Sequence, residues 1–188
     1  MKESPRKSGK GSTFLFLVKL WIGIALLYVV GVVLYVRWRE DLRGTYSMEG
    51  ANTVRRIGEA AVAAYEREGP PSAPHALCGS ASHPIPRDLE SVSNKLYQST
   101  EQDWAEDAEA NVGFACLKFE MMFSASRYQY DYKSDGRQFE VKARGDLNND
   151  GFFSTHSLRG KVTDGHVQLS DLEDDEWQEW LLPPRWWK

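Results

Sequence analysis

Cysteine is scarce in this chain: Cys78 and Cys116 are the only two among 188 residues. No Cys-x-x-Cys pair exists to ligate zinc or cycle electrons. The four histidines, His75, His83, His156 and His166, show no metal-ligand spacing such as His-x-x-x-His and are expected at the surface or in loops. Gly-x-Ser-x-Gly and a phosphate-cradling glycine loop are both missing, so no hydrolase elbow or nucleotide loop is legible. Nothing assembles a nucleophile, a base and an oxyanion site, and the chain is expected not to be an enzyme. Internal repeats are absent as well.

Acid is nearly missing from the first 39 residues, which carry seven bases and only Glu3. Residues 40–188 reverse the balance, with 16 bases against 26 acids. A domain so acidic repels phosphate and is a poor partner for nucleic acid.

One long apolar run stands out. Residues 14–36 read FLFLVKLWIGIALLYVVGVVLYV. As a helix they would extend about 34 Å at ~1.5 Å per residue, enough to cross a hydrocarbon core of ~30 Å. No small-x-small cleavage site follows; the next residues are Arg37-Trp38-Arg39, so the run reads as a retained anchor and not a removed leader. Lys2, Arg6, Lys7 and Lys10 precede it, which puts the amino terminus in the cytoplasm and the remainder outside. Lys19 lies close to the cytoplasmic end, where its stem can reach back to the headgroups. The expected organisation is a basic cytoplasmic segment (1–13), a transmembrane helix (14–36) and an exported domain (37–188).

Within the exported part, residues 47–68 have helical periodicity. Ala51, Val54, Ile57, Ala61, Ala64 and Tyr65 fall near one face, and their small size lets another element approach the backbone. No proline separates this stretch from the anchor, so one long helix is expected, with a soft point at Gly44; Gly69-Pro70-Pro71 stops it. Residues 69–111 read as a loop region. Its acidic cluster around Trp104 fits a solvated loop or a short helix.

From residue 112 the period becomes two. Phe114, Cys116 and Lys118 alternate with Ala115, Leu117 and Phe119; Tyr128, Tyr130 and Tyr132 alternate with Arg127, Gln129 and Asp131. Ser134-Asp135-Gly136 signals a hairpin, 138–143 a returning strand, 157–162 another, and Asp164-Gly165 a turn into 166–169. The expected fold is α+β, with the helix covering one face of an antiparallel sheet over 112–170. An acidic, tryptophan-rich tail follows over 171–188. Four of the seven tryptophans (Trp177, Trp180, Trp186, Trp187) lie there, suited either to packing on the domain or to a partner or membrane surface.

Two sites are expected. An even cysteine count in an oxidising compartment predicts a Cys78–Cys116 disulfide, although two unpaired buried thiols also fit the count. Asp146, Asn148 and Asp150, with Gly151 and Ser154, match part of a calcium loop. Ser157 stands where a bidentate glutamate is needed, so a bare turn held by Asx-type bonds competes with a calcium site.

The order of these pieces resembles a type IV pilin. The stretch from Met48-Glu49-Gly50-Ala51-Asn52 through Arg56-Ile57-Gly58-Glu59-Ala60-Ala61 to Ala64-Tyr65-Glu66 is similar to the second half of a pilin spine. Cys116-Leu117-Lys118-Phe119, Tyr128-Gln129-Tyr130-Asp131-Tyr132 and the stretch from Ala143-Arg144-Gly145-Asp146 to Ser154-Thr155 resemble the globular domain of delta-proteobacterial, myxobacterial pilins. The resemblance implies a non-enzymatic subunit of a pilus or secretion filament, with like subunits as partners. Pilins carry a glycine before a phenylalanine-led stretch with glutamate fifth. Cleavage after Gly9 or Gly11 would here put Phe14 or Phe16 fifth, which fits a minor, initiating or uncleaved pilin-like protein better than a major one. The other reading is a single-pass anchor that displays a binding domain, with calcium as a possible stabiliser and no filament.

Overall fold

The computed structural model describes residues 10–67, 75–119, 125–149 and 151–175, with side chains at 10–13 and 39–44 excepted. Helix α1 spans Lys10–Glu66. The chain divides into two units, Met1–Gly44 and Thr45–Lys188.

The first unit holds one segment long and apolar enough to cross a membrane, Phe14–Trp38. Its side chains are exposed throughout, Leu27 and Tyr28 included. Exposed apolar surface over 25 residues has no place in water, so this face needs lipid or other protein around it.

The second unit is α+β. Strands β1 (Gln129–Ser134), β2 (Gln138–Gly145), β3 (Ser154–Thr163) and β4 (His166–Leu169) form an antiparallel meander in that order, and β5 (Glu173–Asp175) pairs with β3 beside β4. The alternation expected from the sequence holds in β2 and, apart from the buried Gln129, in β1: Tyr130, Tyr132, Phe139, Val141 and Ala143 are buried, while Lys133 and Gln138 face out. Asp135 closes the first hairpin by accepting the N–H groups of Arg137 and Gln138, both at 2.9 Å.

The C-terminal part of α1 lies on the inner face. Val54, Ile57, Ala61 and Tyr65 are buried; Ala51 and Ala64 are half-buried; Arg55, Arg56 and Glu59 are exposed. The expected stripe is therefore present, centred on Val54 and Ile57.

Three expectations are corrected. Residues 112–119 form no strand: Gly113–Leu117 is a short helix, α3, and the sheet begins at Gln129. The cause is local capture of the backbone. Asp107 accepts the N–H groups of Phe114 (2.8 Å) and Ser82 (2.7 Å), and Gly113 donates to Gly79 O at 2.9 Å. Gly113 has φ +45°, and a Cβ there would meet Asp107 Oδ2 at 2.2 Å. Gly113, Phe114 and Leu117 are buried in α3, and the two large side chains, Phe114 and Leu117, stand three apart, which is helical spacing.

Residues 69–111 are not all loop, and of the two readings of the acidic cluster around Trp104 the short helix holds. Helix α2 (Glu101–Ala110) buries Trp104 and Asp107. Its start is fixed by Asp103, which accepts the backbone N–H and the hydroxyl of Thr100 at 2.7 and 2.9 Å. The segment before it runs beside β1, with Ala81 N–H donating to Tyr132 O and Ile85 exchanging both bonds with Tyr130, so the β1 edge is covered.

The acidic run after residue 170 contributes β5, which the charge pattern concealed. Registers Ser157↔Glu173 and His156↔Asp174 place alternate acids on opposite sides of the sheet. The tryptophans of the tail lie outside the described residues.

Candidate functional site

The seam between α1 and the sheet is where the polar side chains of the interior gather. Two glycines let the helix in. A Cβ at Gly58 would lie 2.3 Å from Leu158 Cδ2, and one at Gly50 would lie 2.5 Å from His156 Cδ2 and 2.8 Å from Tyr128 Cζ. Spaced eight apart on the face of Val54, they bring the backbone of α1 into contact with β1 and β3. The sequence reading credited alanines with this role; the closest approaches are at glycine.

His156 is fully buried on β3, which corrects the surface-or-loop expectation for this one histidine; His75 and His166 are exposed and His83 lies in a loop. Its Nδ1 is 2.6 Å from Asp174 Oδ1. A carboxylate only accepts, so Nδ1 carries the proton. In the neutral ring Nε2 then accepts from the Tyr128 hydroxyl at 3.3 Å, and Tyr128 in turn accepts from Ser154 Oγ at 3.3 Å. The result is an ordered relay, Ser154 to Tyr128 to His156 to Asp174. Carboxylate, imidazole and hydroxyl also stand in this order in hydrolytic triads. Here Tyr128, Ser154 and His156 have no exposed surface, while Asp174 is half-exposed, so the relay is a sealed internal tie between β1, β3 and β5.

A second network joins α1 to β1. Ser126 donates its hydroxyl to Glu49 Oε1 (2.7 Å), and Arg127 N–H donates to the same oxygen (2.9 Å). With its one proton given to Glu49, Ser126 Oγ accepts from Tyr130 OH (3.1 Å) and from Tyr128 N–H (3.1 Å). Burial foremost raises the Tyr130 phenol to about 12, with the nearby Glu49 charge adding to it, so it stays a donor at any physiological pH. Arg127 stacks on Tyr46, 4.0 Å from the ring centroid, and pairs with Glu49 at 3.8 Å.

Cys78 and Cys116 form the expected disulfide. It joins the segment along β1 to α3. Arg67 donates to Cys116 O at 3.3 Å and Arg56 lies 5.6 Å from the Phe119 ring, so the end of α1 grips the same region.

Of the expected calcium residues, Asp146 closes a turn and Ser154 packs in the core. Asp146 is buried and accepts Gly151 N–H at 3.1 Å through Oδ2, an Asx-type closure. Asn148 is half-buried, and Ser154 faces Tyr128 inside the core. Asp150 lies outside the described residues. Among the described residues no three His, Cys, Asp or Glu side chains converge to hold a metal.

An open depression of about 900 Å³ lies over the sheet edge near Lys133, Phe139, Glu140, Arg159, Lys161 and Leu169. Its charges are largely paired off. Glu140 accepts from Lys142 (3.2 Å) and Arg159 (2.9 Å), and Arg159 reaches Glu173 at 3.0 Å. Partial burial alone would raise the Glu140 carboxyl; those two cations hold it below the usual range.

Gly50, Gly58, Glu49 and His156 are the packing and hydrogen-bonding positions at this seam that the sequence did not single out. The glycines carried a usable signal, because Gly50, Val54, Gly58 and Ala61 follow helical spacing. No family model matches the chain, and no curated protein or solved structure matches it.

Proposed function

We propose that this chain is a pilin-like, non-enzymatic structural subunit, of the minor or pseudopilin type, in a type IV pilus or related secretion filament. The observation that carries this reading is that α1 supplies both the apolar segment Phe14–Trp38 and the Gly50–Tyr65 face packed on an antiparallel meander. In such a subunit the apolar part anchors and stacks, and the packed part carries the domain. The buried part of the relay and the covered β1 edge support a structural role, since Ser154, Tyr128, His156 and Asp174 are hydrogen-bonded to one another. The proposed setting is a bacterial inner membrane, with the amino terminus in the cytoplasm, the disulfide-bearing domain outside, and like subunits as partners.

The mass of the mature amino terminus tests this reading. Cleavage after Gly9 or Gly11 favours assembly; an intact Met1 in the mature protein favours a simple tether displaying a binding domain.

A further inference from the structure

A small, partly open cavity lies between α2, the turn at Ile85-Pro86 and the start of β1. Trp104, Ser99, Tyr97, Ser126, Tyr128 and Tyr130 are among the residues that line it. The space open to the centre of a water molecule is about 10 Å³, the size that admits one water and excludes any organic ligand.

The wall is polar, and most of its polar atoms are committed. Tyr97 donates to Asp103 Oδ1 at 2.8 Å, Ser126 donates to Glu49, and Tyr130 donates to Ser126. Two atoms are not. Trp104 Nε1 and Ser99 Oγ have no hydrogen-bond partner among the described residues, although both side chains are more than nine-tenths buried. The indole N–H can only donate; the hydroxyl can donate and accept. A single water meets both needs, accepting from the indole and exchanging a bond with the hydroxyl. Leaving two buried polar groups unpaired costs more than immobilising one water.

We propose that this cavity is a binding site for one ordered water that pairs Trp104 Nε1 and Ser99 Oγ. The water ties Trp104 of α2 to Ser99 in the segment that leads into that helix.

The test is nuclear magnetic resonance on the full-length protein in detergent micelles, with the Trp104 indole N–H sequentially assigned. A bound water gives a cross-relaxation peak between that proton and water with the sign of a long-lived complex. In parallel, Ser99→Ala should lower the melting temperature by a few degrees, because the water loses a partner. No water peak at the Trp104 indole overturns the proposal. So does an unchanged or raised melting temperature in Ser99→Ala, the result expected when an unbonded hydroxyl leaves a dry site.

Discussion

Gly58 of α1 and Leu158 of β3 meet so closely that a single added methyl at Gly58 would lie 2.3 Å from Leu158 Cδ2. In an isolated helix, Gly→Ala is stabilising by about 0.5–1 kcal/mol. Here overpacking, worth roughly 1–3 kcal/mol, opposes that gain and should exceed it. Gly58→Ala is therefore expected to destabilise the domain by about 1–2 kcal/mol in denaturant unfolding. In the background of Leu158→Ala the same change should become neutral or favourable, a coupling that only direct contact explains. Equal effects in both backgrounds would place the helix away from the strand.

The His156 relay should matter in proportion to burial. His156→Ala removes a fully buried ring and one hydrogen-bond partner of the Tyr128 hydroxyl, so a loss of roughly 2–4 kcal/mol is expected. Asp174 is 49% exposed, so water can replace it and Asp174→Ala should cost no more than about 1 kcal/mol. Thermal unfolding of the two variants side by side checks the ranking; a reversed order would mean that β5, not the core, depends on the pair.

Asp103 gives a pH dependence with a definite sign. Partial burial raises its pKa, but the Thr100 N–H, the Tyr97 hydroxyl and the Thr100 hydroxyl together hold it below the usual value of 3.8. A depressed carboxyl contributes stability that is complete above the unfolded pKa and lost as pH falls through the folded one. Asp103→Asn should thus lower the melting temperature most above about pH 5, with the gap to the parent closing below about pH 4. A gap that stays constant down to pH 2 would show that the charge is irrelevant to the start of α2.

Calcium should leave the melting temperature unchanged. The Asp146 carboxylate already closes the turn through Gly151 N–H, and Ser154 is committed to the core. Calorimetry with and without millimolar calcium decides, because an ion bound only to the folded state must raise the transition. A clear rise would restore Asp146, Asn148 and Asp150 as ligands.

Much of the architecture was legible because it depends on local pattern. The tyrosine alternation in β1, the Asp135-Gly136 and Asp164-Gly165 turns and the apolar segment of α1 each follow from spacing alone. Errors arose where tertiary contacts decided. A few alternating residues after Val112 fit a strand as well as a helix until Asp107, distant from Ser82 in sequence, captures both segments. β5 was masked because Glu173, Asp174 and Asp175 look solvated unless Arg159 and His156 are known to stand opposite. His156 looked like a surface residue because its cover, Gly50, is more than a hundred residues away.

The central claim is that the apolar segment of α1 stacks against like helices in an assembly. A photo-crosslinking amino acid at Ile24, exposed at mid-segment, tests this in the membrane of the producing cell. The account predicts protein adducts whose partners carry a similar apolar amino-terminal helix, lost when the assembly machinery is removed. Adducts to lipid alone, in cells with intact machinery, would contradict it and leave a membrane-tethered domain.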